Sequence, residues 1–282
     1  MALSIESKGP IPPASTAQDC VQDTPARKEW SAGWRKMWAT AIVFVIFILL
    51  IEIGHRSLPP FLFPSSVEIW RALVRAVTEQ YAHILITAAR FLFALATATV
   101  IGWFLGLLMG AFRNTLGALA NPALSILQAV PAVSWVLVAI LWMSNVEARV
   151  WFICFMVGVP LYAVSVYEGV RDIDADVVEA IDQFRPSRWQ TIHILLVPQS
   201  LVHLLVSMRS VSSLVLRILV FAELIGASTG VGSQMSDAQT NFQMAMIFAW
   251  TVIMIAVNFI IVLLIDWSET KLLGWRKEAT VR

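Results

Sequence analysis

The sequence predicts an all-α membrane protein with six transmembrane helices and cytoplasmic N- and C-termini. Three observations carry that prediction. First, 58% of the 282 residues are hydrophobic and 14% are charged, with a mean hydropathy of +0.74. Soluble domains carry about 25% charged residues. Second, six apolar stretches meet the length, about 20 residues, that crosses a bilayer core. They lie at 37–53, 84–112, 124–143, 150–170, 195–225 and 244–267. Third, Lys and Arg are unevenly placed. With the N-terminus inside, the inner segments hold Lys8, Arg27, Lys28, Arg35, Lys36, Arg113, Arg171, Arg185, Arg188, Lys271, Arg276, Lys277 and Arg282. The outer segments hold Arg56, Arg71, Arg75 and Arg149. This asymmetry follows the positive-inside rule.

In chain order, residues 1–36 read as a polar tail ending in an interfacial helix, with Trp30, Trp34 and Trp38 on one face to anchor at the lipid headgroups. Residues 37–270 form the transmembrane domain, and 271–282 a cytoplasmic tail. Between the first two spans, a Ser cap opens an amphipathic helix whose apolar face is Val67, Trp70, Leu73, Val74 and Val77. It lies on the membrane surface or packs on the bundle. Gly102, Gly106 and Gly110 repeat every four residues in the second span, a spacing that lets helices approach closely. Pro122, Pro131 and Pro160 interrupt the third and fourth spans.

The polar stretch 172–198 interrupts the apolar second half of the chain. Val177, Ile181 and Phe184 share one helical face. Asp174 and Asp176 are candidate N-caps, with Glu179 at capping-box spacing from Asp176. Pro186 stops this helix, and Ser187 with Gln190 is a second capping box that starts another. An apolar stripe on a doubly capped helix-turn-helix calls for a docking partner.

Charges inside a membrane each cost about 2.5–3.5 kcal/mol or more. Arg90, Arg209, Arg217 and Glu223 therefore invite either a fixed partner or a role in a solute path. Arg90 is near an outer helix end, where it can snorkel. Asn258 suits an interhelical hydrogen bond. Cys20 and Cys154 suggest no disulfide framework, and the four histidines form no metal-ligand motif. There is no phosphate loop, so any ATP is handled by another subunit. A net charge of +1 gives no basis for a nucleic-acid partner.

The stretch Glu179-Ala180-Ile181, with Arg185 where Gly is usual and Pro198 beyond it, resembles the EAA loop of bacterial ABC importer permeases of the nitrate/sulfonate/taurine group. Residues 61–67, the stretch 116–142 with Asn121-Pro122, Val130-Pro131 and Trp135, and the segment 222–232 resemble further motifs of that group. Met143-Ser144-Asn145 departs from its Phe-Gly-x-Gly. The resemblance covers roughly 60–275 and implies a type I ABC permease fold in the bacterial inner membrane. It implies cytoplasmic ATPase subunits, an external substrate-binding protein and a second permease copy, identical or a paralogue. Glu179, Ala180, Ile181, Phe184, Arg185, Pro186, Ser187 and Arg188 then form the ATPase-coupling element. Trp135, Arg209, Ser213, Arg217 and Glu223 then become candidates for the path of a small anionic solute. Arg in place of the hinge glycine costs about 1–2 kcal/mol in a left-handed conformation, so Arg185-Pro186 is expected to form a turn of different shape. No catalytic or cofactor-binding residues are expected.

Two other readings fit less well. An ion-gradient transporter needs coupling carboxylates or inverted repeats, and the sequence offers few of the first and none of the second. An intramembrane enzyme needs a nucleophile-base or acid-base cluster, and none is evident.

Overall fold

The structure, a computed structural model, describes residues 38, 42, 46, 49, 51–56 and 63–272. The polar tail, most of the first predicted span and the C-terminal tail beyond Leu272 lie outside the described residues. All regular structure among them is helical. The described residues from Gly54 onward make one compact unit, and those before it belong to another.

Helix α1 spans Ser66–Glu79. Its start is fixed by a reciprocal capping box. The Ser65 hydroxyl accepts from the Glu68 amide at 3.3 Å, and the Glu68 carboxylate accepts from the Ser65 amide at 3.0 Å. The helix buries Ala72 and Ala76 against Met246, Ala249, Trp250 and Ile253. Of the apolar face, Val67, Trp70, Val74 and Val77 are exposed, while Leu73 joins the packed cluster. Small residues win the packed side because they let the backbones approach.

Helix α2 (Tyr81–Ala111) leads through a π-helical turn, Arg113–Gly117, into α3 (Ala118–Ala129) and α4 (Ala132–Trp142). The third predicted span, 124–143, is therefore not one helix. It breaks at Val130-Pro131 into two helices inclined at 89°. Pro131 lacks an amide donor and pushes Val130 into an extended conformation, with ψ at 124°.

Helix α5 (Val146–Arg171) is the central element and the most extensively buried span. The three glycines of α2 face it. A Cβ at Gly102, Gly106 or Gly110 would lie 2.6 Å from Tyr162 Cβ, 2.5 Å from the Ala163 carbonyl and 2.5 Å from Val170 Cγ1. The glycine repeat is thus a packing seam. The chain continues as α6 (Ala175–Asp182), α7 (Arg188–Thr191), a π turn at Ile192–Leu196, α8 (Val197–Gly226), α9 (Val231–Thr240) and α10 (Met244–Leu272). The main core joins Phe91 and Leu95 of α2, Val136 of α4, Ile153 and Tyr162 of α5, and Val215 and Leu219 of α8.

Among the described residues, Tyr81–Ala111, Val146–Arg171, Trp189–Gly226 and Met244–Leu272 are long and apolar enough to cross a membrane, with a fifth span if the bent α3–α4 pair counts as one.

Candidate functional site

The segment between α5 and α8 is built as a stiff, exposed hinge. Asp174 caps α6, its carboxylate accepting from the Asp176 amide at 3.1 Å. Asp174, not Asp176, therefore holds the cap. The second predicted capping box does form: the Ser187 amide donates to Gln190 Oε1 at 2.8 Å, and the Gln190 amide donates to the Ser187 hydroxyl at 3.4 Å. Between the caps, Arg185 adopts φ 48°, the left-handed region. The expected turn of different shape is not what forms. Arg185 takes up the backbone conformation that a glycine would adopt cheaply. Pro186 excludes a helical continuation, so the chain accepts the strain.

Around this hinge, apolar surface is left open. Phe184 is 86% exposed and Trp189 77%, with Val177 and Ile194 also exposed. Ile181 is half-buried, while Glu179 and Ala180 are exposed. Trp189 was missed by sequence reasoning. Its position two residues after the second N-cap was the available signal.

The intramembrane charges sort into two kinds. Arg90 does not snorkel. It turns inward and is 8% exposed. Its guanidinium donates to Glu147 from Nε at 2.8 Å and Nη2 at 2.5 Å, to Glu223 from Nη1 at 2.7 Å, and to Thr229 through its carbonyl and hydroxyl. Glu223 is fully buried. It also accepts from the Thr87 hydroxyl at 2.8 Å and the Gly232 amide at 3.0 Å. Its carboxylate is saturated, so in this conformation it has nothing left to offer a solute. Gly230, with φ 115°, lies against it, and a Cβ there would come within 2.4 Å of Oε1. The glycines of the 222–232 segment thus make room for Glu223. The cluster ties α2, α5, α8 and α9 together at one end of the bundle.

Arg209 is also paired. It reaches across to Asp266 and, at 3.7 Å, to Glu269, both on α10. Trp135 packs edge-on against Phe152 in the core, at 6.2 Å between ring centroids. Arg217 differs from the others: its Nε donates to the Ser213 carbonyl of its own helix at 3.1 Å, and the residue is exposed. Ser213 and Arg217 line a groove of about 500 Å³ between α8 and α10, with Met235 of α9, Thr251 and Asn258. Asn258 does not make the expected interhelical bond through its oxygen, because Oδ1 is buried without a partner. The structure therefore brings Ser213 and Arg217 together. It holds Trp135, Arg209 and Glu223 in separate packing and ion-pair roles.

Residues 98–274 match the model of the family described as binding-protein-dependent transport system inner membrane component. The chain belongs to this family. It is an inner-membrane ABC transporter permease with several membrane-spanning helices, and the family implies ATPase and substrate-binding-protein partners. Among its relatives, the permease is 26% identical over 276 residues to a Bacillus subtilis (strain 168) protein named as an aliphatic sulfonates transport permease, SsuC, covering 97% of this chain and 98% of that protein. It is 24% identical over 240 residues to a formylaminopyrimidine transport permease protein, ThiX, of Halalkalibacterium halodurans, covering 84% of this chain and 95% of that one. It is 22% identical over 196 residues to the Escherichia coli (strain K12) taurine transport system permease protein TauC, covering 70% and 71%. In fold, the permease resembles a chain of the inward-facing MetNI methionine ABC transporter, with a TM-score of 0.57, 13% identity, and coverage of 69% of this chain and 98% of that one.

Proposed function

We propose that this permease is the membrane subunit of an ATP-driven importer for a small anionic solute, and that its 172–198 segment docks on a cytoplasmic ATPase subunit. The observation that carries this reading is the exposed hinge. Phe184 and Trp189 stand open on either side of a left-handed Arg185, held by two helix caps. Large exposed aromatics on a rigid support are the anchors that protein interfaces use. The hinge sits between α5 and α8, the two most extensively buried spans. A push on it is therefore passed to the bundle core. Glu179 supplies a polar rim to the same patch. Both termini lie on the same side as the hinge. A second permease copy, identical or a paralogue, completes the path, and an external binding protein delivers the solute. ATP binds to the partner subunit and not to this chain.

The test is Phe184→Asp in the assembled complex. ATP-dependent uptake and co-purification of the ATPase subunit should both fall at least tenfold, with the permease itself still inserted in the membrane. Unchanged coupling in this variant would sink the docking assignment.

A further inference from the structure

Arg217 is a membrane-embedded charge whose distal nitrogens have no partner among the described residues. It is the ninth residue before Gly226, the last residue of α8. At 1.5 Å per residue it lies about 14 Å from that end and about 8 Å from the middle of this 30-residue helix, so a core about 30 Å thick centred on the helix contains it. A guanidinium there is costly against lipid and is tolerated where it faces water, a counter-charge or a ligand. The carboxylates that might have served are taken: Glu223 by Arg90, and Asp266 and Glu269 by Arg209.

What faces Arg217 is a groove rather than a flat surface. Ser213 lies one turn away on α8, and Asn258 and Thr251 line the opposite wall on α10. The rest of the lining, including Leu216, Val220, Met254 and Ile255, is apolar, and Met235 of the short helix α9 also lines it. We propose that Arg217, with Ser213 and Asn258, forms a binding site for the head of a small organic monoanion whose short aliphatic body rests on the apolar wall.

The chemistry fits that class. A guanidinium presents two parallel N–H donors to two oxygens of one oxyanion. Asn258 lines the opposite wall, and its amide NH2 supplies a further donor for a third oxygen. One net positive charge matches one negative charge, so a sulfonate or carboxylate fits better than a phosphate dianion. A groove of about 500 Å³ holds a molecule of this size with room for water. This inference rests on reading the chain as a solute path. It narrows that path from five candidate residues to one charged site.

The site can be tested with charged thiol reagents, which read local potential without knowledge of the natural solute. In the assembled complex without ATP, on a Cys20→Ser background, Thr251→Cys is treated with 2-sulfonatoethyl methanethiosulfonate and with its trimethylammonium analogue. Cys154 is buried and gives little background. Relative to a free thiol, the sulfonate reagent should be favoured at least tenfold. Arg217→Met should abolish that preference, Arg217→Lys should keep most of it, and ethanesulfonate should slow the reaction only when residue 217 is cationic. Ile255→Cys, lining the same groove, serves as a second reporter if Thr251→Cys does not assemble.

Absence of anion preference, indifference to Arg217→Met, or a groove closed to both reagents overturns the proposal; the last two results point to a second copy or lipid covering Arg217. Because the measurement uses the resting complex, it is independent of coupling. Loss of coupling assignment with a retained anion preference removes the docking reading alone.

Discussion

Glu223 is the residue whose replacement separates structural from transport roles. Its two oxygens accept from Thr87, Arg90 and Gly232, all of them donors. Glutamine there presents an amide NH2 that cannot accept, so at least one buried donor loses its partner. Breaking a buried ion pair by removing one member costs about 3–5 kcal/mol. Glu147 holds the same arginine through a bidentate pair whose carboxylate side is 63% accessible; glutamine there keeps one acceptor oxygen, and Arg90 keeps Glu223 as its buried counter-charge. Glu223→Gln is therefore expected to lower the melting temperature of the detergent-solubilised permease sharply, and Glu147→Gln by little. Equal shifts would show that the cluster does not act as the buried staple described above. Arg185 offers the opposite sign. Glycine relieves about 1–2 kcal/mol of left-handed strain and returns about 0.4–1 kcal/mol through a more flexible unfolded chain. The relief wins, and Arg185→Gly should raise the melting temperature by a few degrees. A fall would mean that the Arg185 side chain contributes more than its backbone conformation costs.

At the scale of elements, the capped hinge and the packing seam were legible because each rests on local chemistry. Ser187 with Gln190 is a three-residue pattern, and glycines four apart define one helical face wherever the helix packs. The break at Pro131 was half legible. A proline marks a weak point, but the 89° bend depends on what α3 and α4 pack against. The inward turn of Arg90 was not legible, because its partners Glu147 and Glu223 lie 57 and 133 residues away. Which residues of α1 pack was not legible either: the close approach of α10 selects Ala72 and Ala76, and most of the apolar face stays exposed. The hinge patch carries its own prediction. Trp189 is 77% exposed, so its loss removes little intramolecular packing. Interface anchors contribute about 2 kcal/mol or more, roughly thirtyfold in affinity. Trp189→Ala should leave membrane insertion and melting temperature nearly unchanged and weaken ATPase association by that factor in a co-purification titration. A variant that melts early but still binds would place Trp189 in the fold instead.

At the scale of the whole molecule, sidedness rests on the distribution of cations along the sequence. Arg149, one of four cations assigned outside, is not a free loop charge. Its guanidinium donates to the Gly226 carbonyl at 2.7 Å and the Met143 carbonyl at 2.9 Å, against the C-terminal end of α8. The hinge and the α9–α10 turn lie near opposite ends of α8: Val197 follows the hinge directly, and Gly226 precedes α9 by a short loop. A 30-residue helix is about 45 Å long, enough to hold these two regions on opposite sides of a bilayer core about 30 Å thick. On a Cys20→Ser background, a membrane-impermeant maleimide should label Asn241→Cys from outside in right-side-out vesicles and leave Ser187→Cys unmodified. Inside-out vesicles should reverse the pattern. Both positions are exposed in the permease itself, so in vesicles stripped of the ATPase subunit a failure to label is not a matter of burial. Labelling of Ser187→Cys from outside would invert the topology, and with it the assignment of the hinge to a cytoplasmic ATPase. The Glu223 staple and the Arg217 groove would survive that result, because both are fixed by contacts within the bundle and not by which side of the membrane each end faces.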